Sequence, residues 1–103
     1  MNTVTITLRL FQGKKKEFLQ TVNTLHEDMK REKGFTKSLV FQEVNDPEVF
    51  HLTEEWDTQD DLEMFTRTET FRVLMGALKV LSKETEIRYH ISAAEKDIKV
   101  LNQ

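Results

Sequence analysis

Glu54 stands in phase with Phe50, Leu52 and Trp56 along the segment from Val49 to Trp56. In a strand, alternate side chains share a face, so this carboxyl shares one with three apolar residues. If that face is internal, the carboxylate loses water, its pKa rises, and it becomes the best general base in the chain. If the strand end reaches solvent, Glu54 is an ordinary surface carboxylate. His51 alternates onto the other face, away from Phe50 and Leu52, and His90 likewise alternates away from Tyr89 and Ile91. Imidazole is the natural proton shuttle near neutral pH, so the two histidines read either as an acid–base pair or as a polar network within a subunit interface. Trp56 and Tyr89 each carry an apolar body and a polar tip that wants a partner when buried. They read as substrate contacts or as core. Phe65 and Met75, with Phe11, Phe18, Met64 and Phe71, line an apolar pocket for an aromatic molecule or fill the core. His26 lies beside a helical apolar stripe and reads as a partly exposed helix residue.

Other chemistries are excluded by composition. The 103 residues contain no cysteine, so disulfides, thiolate metal sites and cysteine nucleophiles are absent. No His-x-x-x-His spacing occurs, and no metal site is expected. The net charge is -3, and Lys14-Lys15-Lys16 is the only basic run, which reads as a solvated helix start rather than a nucleic-acid surface. The amino-terminal residues lack the basic and apolar regions of a signal peptide. No apolar run approaches the roughly 18 residues that span a bilayer. A cytoplasmic protein with no membrane partner is expected.

The elements that must position these residues follow from hydrophobic period. Val4, Ile6, Leu8 and Leu10 alternate with Thr3, Thr5, Thr7 and Arg9, which predicts a half-buried strand over 3–11. Phe18, Val22, Leu25 and Met29 form one stripe of a helix over 14–32, between Gly13 and Gly34. The segment 35–44 predicts a strand with apolar residues on both faces: Leu39 and Phe41 on one, Val40 and Val44 on the other. Such a strand needs cover on both sides. The helices of so short a chain cover one face of a four-stranded sheet, so the other face requires a second copy. Asn45 to Glu48 is a turn. Thr58 caps one helix and Thr68 a second, with Phe71, Leu74, Leu78 and Leu81 as the buried stripe. Gly76 falls inside that helix, either for close packing against the sheet or to leave room for a ligand. Residues 86–91 alternate as the last strand. The tail 93–103 is polar, with helical character through Ile98 and Leu101. The order β-α-β-β-α-β, with the second helix in two parts, predicts an α+β, ferredoxin-like single domain over 1–103 with an antiparallel sheet and a core from about 3 to 92.

Several short features strengthen this reading: Gly13 before the first helix, Glu32-Lys33-Gly34 after it, Asn45-Asp46-Pro47 in the hairpin, Glu55-Trp56 at the strand end, and Thr68-Glu69-Thr70-Phe71 in the last helix. In their order and spacing, over about residues 3–92, the chain resembles the antibiotic biosynthesis monooxygenase (ABM) family of dimeric α+β barrels. The resemblance implies two sheets packed face to face in a homodimer. It implies a cofactor-free monooxygenase acting on a quinol, anthrone or other small electron-rich aromatic. The family's signature residues carry over unevenly. Its cofactor-free oxygenases place an asparagine where this chain has Leu52 and a tyrosine where it has Leu62, while Trp56 matches. Its haem-degrading branch places an asparagine, a tryptophan and an axial histidine where this chain has Ile6, Phe65 and Met75. Haem ligation of that type is therefore not expected. A non-catalytic dimer of the same fold that binds a small ligand is the alternative. The expected catalytic residues are Glu54 or His51, with Trp56, Tyr89, Phe65 and Met75 on the substrate.

Overall fold

The computed structural model describes residues 2–91 and 99–102. Five strands form one sheet: β1 (Asn2–Leu10), β2 (Phe35–Gln42), β3 (Val49–Trp56), β4 (Ser82–Ile91) and β5 (Lys99–Asn102). Their order across the sheet is β2-β3-β1-β4-β5, and every neighbouring pair is antiparallel. Three helices complete the chain: α1 (Lys15–Met29), α2 (Gln59–Phe65) and α3 (Glu69–Leu81). The first four strands and the helices follow the expected α+β, ferredoxin-like order.

Each element rests on the pattern that predicts it. Along β1, Val4, Ile6, Leu8 and Leu10 are buried and the intervening residues half-exposed. The buried stripe of α1 is Phe18, Val22, Leu25 and Met29, and that of α3 is Phe71, Leu74, Leu78 and Leu81. These side chains and the inward residues of β1, β3 and β4 form one hydrophobic cluster, so the helices cover one face of the sheet. The side chains of Thr58 and Thr68 accept hydrogen bonds from the Asp61 and Phe71 amides at 3.0 and 3.2 Å, capping α2 and α3 as expected.

Four expectations need correction. Helix α1 stops at Met29 rather than near Glu32; Arg31 and Glu32 then bond three residues back, in tight turns that lead to Gly34. Strand β2 ends at Gln42, and Val44 lies in the turn, 94% exposed. Strand β4 begins at Ser82, directly after α3. Its first residues, Lys83 to Glu86, are polar and exposed, so they carry no alternation to read. Leu101 belongs to a strand rather than a helix, because Lys99–Asn102 pairs with β4; Ile98 lies outside the described residues.

The outer sheet face carries Thr3, Thr5, Thr7 and Arg9 of β1, all half-exposed, with His51, Thr53 and Glu55 of β3. Residues directly opposite in an antiparallel pair share a face. Leu39 pairs with Thr53 and Phe41 with His51, which assigns both to this outer face. They are 39% and 51% exposed. Val40, paired with Leu52, points to the helix side but stays 37% exposed, because β2 is the sheet edge.

Candidate functional site

Strand β3 brings Glu54 and Trp56 to the inner face by simple alternation, beside Phe50 and Leu52. Two register relations fix what stands next to them. Val4 of β1 lies opposite Glu54 on one side and opposite Tyr89 of β4 on the other. Glu54, Val4 and Tyr89 thus form one row across three strands, and Trp56 sits one row on, opposite Asn2. Neighbouring strands lie about 4.8 Å apart, so the glutamate and tyrosine backbones are roughly 10 Å apart with only valine between.

All three polar side chains are buried, Glu54 fully. Neither carboxylate oxygen of Glu54, nor Trp56 Nε1, nor the Tyr89 hydroxyl has a hydrogen-bond partner among the described residues. An unsatisfied buried polar group costs on the order of 1–3 kcal/mol, and an ionised one more. Burial pushes the Glu54 pKa from 4.5 up to about 8. Burial also raises Tyr89, and a charge on Glu54 adds to that rise. A carboxyl so placed is mostly neutral at pH 7 and, when it ionises, is a stronger base than an ordinary carboxylate.

An aromatic wall closes one side. Phe65 stacks on Trp56 at 4.5 Å between centroids, Phe35 meets Trp56 edge-on at 5.5 Å, and Phe71 meets Phe65 at 5.4 Å. Met75 of α3 is half-buried and packs on the same core. Behind Phe65, a cleft of about 260 Å³ opens between the Glu32–Lys33 turn and α2, with Asp61, Met64 and Thr68 on its walls. Asp61 is a part of this region that the sequence shows only as a cap partner. Its side chain is buried directly against Gly34, where a Cβ would collide with it. The signal for that contact is Gly34 itself, held at φ +83°.

The structure separates the two expected catalytic residues. His51 faces outward, with Nδ1 2.9 Å from Thr7 Oγ1 and Nε2 2.9 Å from Glu43 Oε2. The sheet lies between it and Glu54, so the two share no site, and His51 sits in a polar network on the outer face. His90 also lies outward, opposite Thr3. Of the two readings of Gly76, close packing against the sheet does not hold: Gly76 is exposed, and a Cβ there meets nothing within 4 Å. No group of three metal-ligating side chains occurs among the described residues. No helix among them is long and apolar enough to cross a membrane.

Comparison with known proteins places this arrangement. A conserved protein from Methanosarcina mazei Go1 superposes with a TM-score of 0.80 at 27% identity, over 89% of this chain and 92% of that one. A mutant of SnoaB, a cofactor-independent oxygenase from Streptomyces nogalater, superposes with a TM-score of 0.78 at 17% identity, over 92% and 94%. A protein of Pseudomonas aeruginosa gives 0.72 at 20%, over 90% and 94%. No curated protein matches the chain significantly. The sequence profile of the antibiotic biosynthesis monooxygenase family matches residues 1–77, and by that match the chain belongs to this family.

Proposed function

We propose that the protein is a cofactor-independent monooxygenase of a quinol, anthrone or other electron-rich aromatic, working as a homodimer. The observation that carries this is the set of unpartnered polar atoms on Glu54, Trp56 and Tyr89, inside a core otherwise built of apolar side chains. A core that only packs has no use for them, since each costs stability. A bound oxygen-bearing aromatic supplies the missing partners, with its ring against Trp56 and Phe65. Glu54 then takes the substrate's proton. The anion gives electrons to dioxygen, one oxygen atom enters the ring carbon and the other leaves as water. For anthrone, a CH₂ and O₂ become a C=O and H₂O. The protein's part is to hold the anion in an apolar, water-poor setting and to move one proton.

A second reading is a non-catalytic dimer that binds a small ligand. What favours it is the packing at Leu52 and Leu62, which occupy the positions of the family's asparagine and tyrosine and are fully buried. Oxygen uptake decides between the two. With dihydroxynaphthalene or anthrone, the wild type is expected to consume oxygen faster than buffer alone. Background rates across the whole panel would leave the binding reading.

A further inference from the structure

The cleft behind Phe65 holds a second carboxyl without a partner. Asp61 is the third residue of α2, where an acidic side chain ordinarily bonds back to the amide of the capping residue. Only half of that exchange forms here. The Asp61 amide donates to Thr58 Oγ1 at 3.0 Å, while the Asp61 carboxylate bonds nothing among the described residues. The side chain lies instead against Gly34, on the turn that forms the facing wall. Asp61 is only 8% exposed, yet it lines this cleft of about 260 Å³. Two further carboxylates, Glu32 and Asp60, stand on the walls with one ammonium, Lys33. None of these four groups is ion-paired with a described residue. Met64 and Phe65 supply the apolar part of the lining.

We propose that this cleft binds a small organic cation, a primary amine on an apolar body, with its ammonium on Asp61. Three carboxylates against one lysine disfavour an anion and leave negative charge to be answered. The carboxylates do not converge as ligands of a bare ion would: no group of three metal-ligating side chains among the described residues could hold a metal. A cation with a body fits where a metal does not. An ammonium carries three N–H donors and no acceptor. One donor meets the unbonded Asp61 carboxylate, and the others face Glu32, Asp60 or water. A charge-assisted hydrogen bond to a buried carboxylate is stronger and less screened by salt than one on the surface. The hydrocarbon part lies along Met64 and Phe65, and a thioether adapts well to an aromatic ring. The volume falls below the roughly 300–1,000 Å³ of usual ligand pockets, which limits the body to one ring or a short chain. Neither Glu54, Trp56 nor Tyr89 lines the cleft, so the proposal stands apart from the oxygenase reading.

The test titrates the whole protein at pH 7 with three probes that share one ring and differ in charge: phenethylamine, 2-phenylethanol and 3-phenylpropionate. Amide shifts in proton–nitrogen NMR spectra report both affinity and place. Phenethylamine is expected to saturate with a Kd of about 1 mM or below, moving the amides of residues 32–34 and 60–65. The alcohol and the carboxylate are expected to bind about tenfold more weakly or worse. Asp61→Asn, a neutral near-isostere, is expected to weaken the amine about tenfold while the alcohol changes by less than about twofold. A merely structural Asp61 would leave the preference for amine over alcohol unchanged in that variant, and this result overturns the proposal. If Asp61→Asn does not fold, Met64→Lys carries the test, because Met64 is 60% exposed and tolerates a charge. A second ammonium on the wall is expected to repel the amine about tenfold, and unchanged binding overturns the proposal. Equal affinity for the three probes, shifts that map away from α2 and the Gly34 turn, or no saturation of the amine by about 20 mM each overturn it as well.

Discussion

Glu54 is a carboxyl inside the core with no hydrogen-bond partner among the described residues, and that has a consequence for folding as well as for chemistry. Its pKa of about 8 in the fold exceeds the ordinary value of 4.5, so the folded protein holds this proton more tightly than the unfolded chain. The sign follows from linkage. Stability from this group is fully present below pH 4.5 and falls as pH rises towards 8, by on the order of 5 kcal/mol in total. Urea unfolding of the wild type is therefore expected to weaken between pH 6 and pH 9, while Glu54→Gln loses most of that dependence and is the more stable of the two at pH 9. Equal slopes for both proteins would show that Glu54 is not held in a dry site. The face of Glu54 is legible in the alternation of Val49 to Trp56, and so is the opposite face of His51. What alternation cannot show is what stands beside a residue. The row Glu54–Val4–Tyr89 joins three strands distant in sequence, and the missing hydrogen bonds are a property of the whole core.

The elements themselves were legible wherever a residue's local role and its burial agree. The stripes of α1 and α3, the two threonine caps and the alternation of β1 are of this kind. The failures lie where local pattern is silent. The start of β4 is polar because its side chains face water, and β5 is specified by its pairing with β4 and by no periodicity of its own. The two glycines at 34 and 76 separate a required glycine from a dispensable one. Gly34 has φ +83° and lies directly against Asp61. Gly34→Ala is expected to destabilise by at least 1–2 kcal/mol, through strain at positive φ and the displaced Asp61. Gly76 is helical with open space where a Cβ would be, so Gly76→Ala is expected to stabilise by up to about 1 kcal/mol. Thermal unfolding of the two variants checks both signs; a destabilised Gly76→Ala would mean that another molecule packs there.

At the scale of the molecule, the sheet has one covered face and one open face. The apolar residues of the segment 35–44 call for a partner, and the structure leaves those side chains unburied: Leu39 and Phe41 on the outer face, Val40 at the edge. We expect two copies to meet through these outer faces in an interface of the large class, above roughly 1,500 Å² in total. Leu39→Lys places a charge on that face and is expected to give a monomer in light scattering at micromolar concentration, where the wild type is a dimer. A folded wild-type monomer at that concentration would contradict the dimer. The open outer face and Glu54 lie on opposite sides of one sheet, so the expected assembly and the base can be tested separately.

The most direct test of the whole account is the pH dependence of enzyme-catalysed oxygen uptake with anthrone, for wild type and Glu54→Gln. The account predicts a wild-type kcat/KM that rises with pH and levels off above about 8, where Glu54 is ionised. It predicts a Glu54→Gln rate lower by about 10²–10⁴-fold, the usual range for loss of a general base, with the dimer intact. A Glu54→Gln enzyme as fast as wild type, with the same rise in pH, would contradict it.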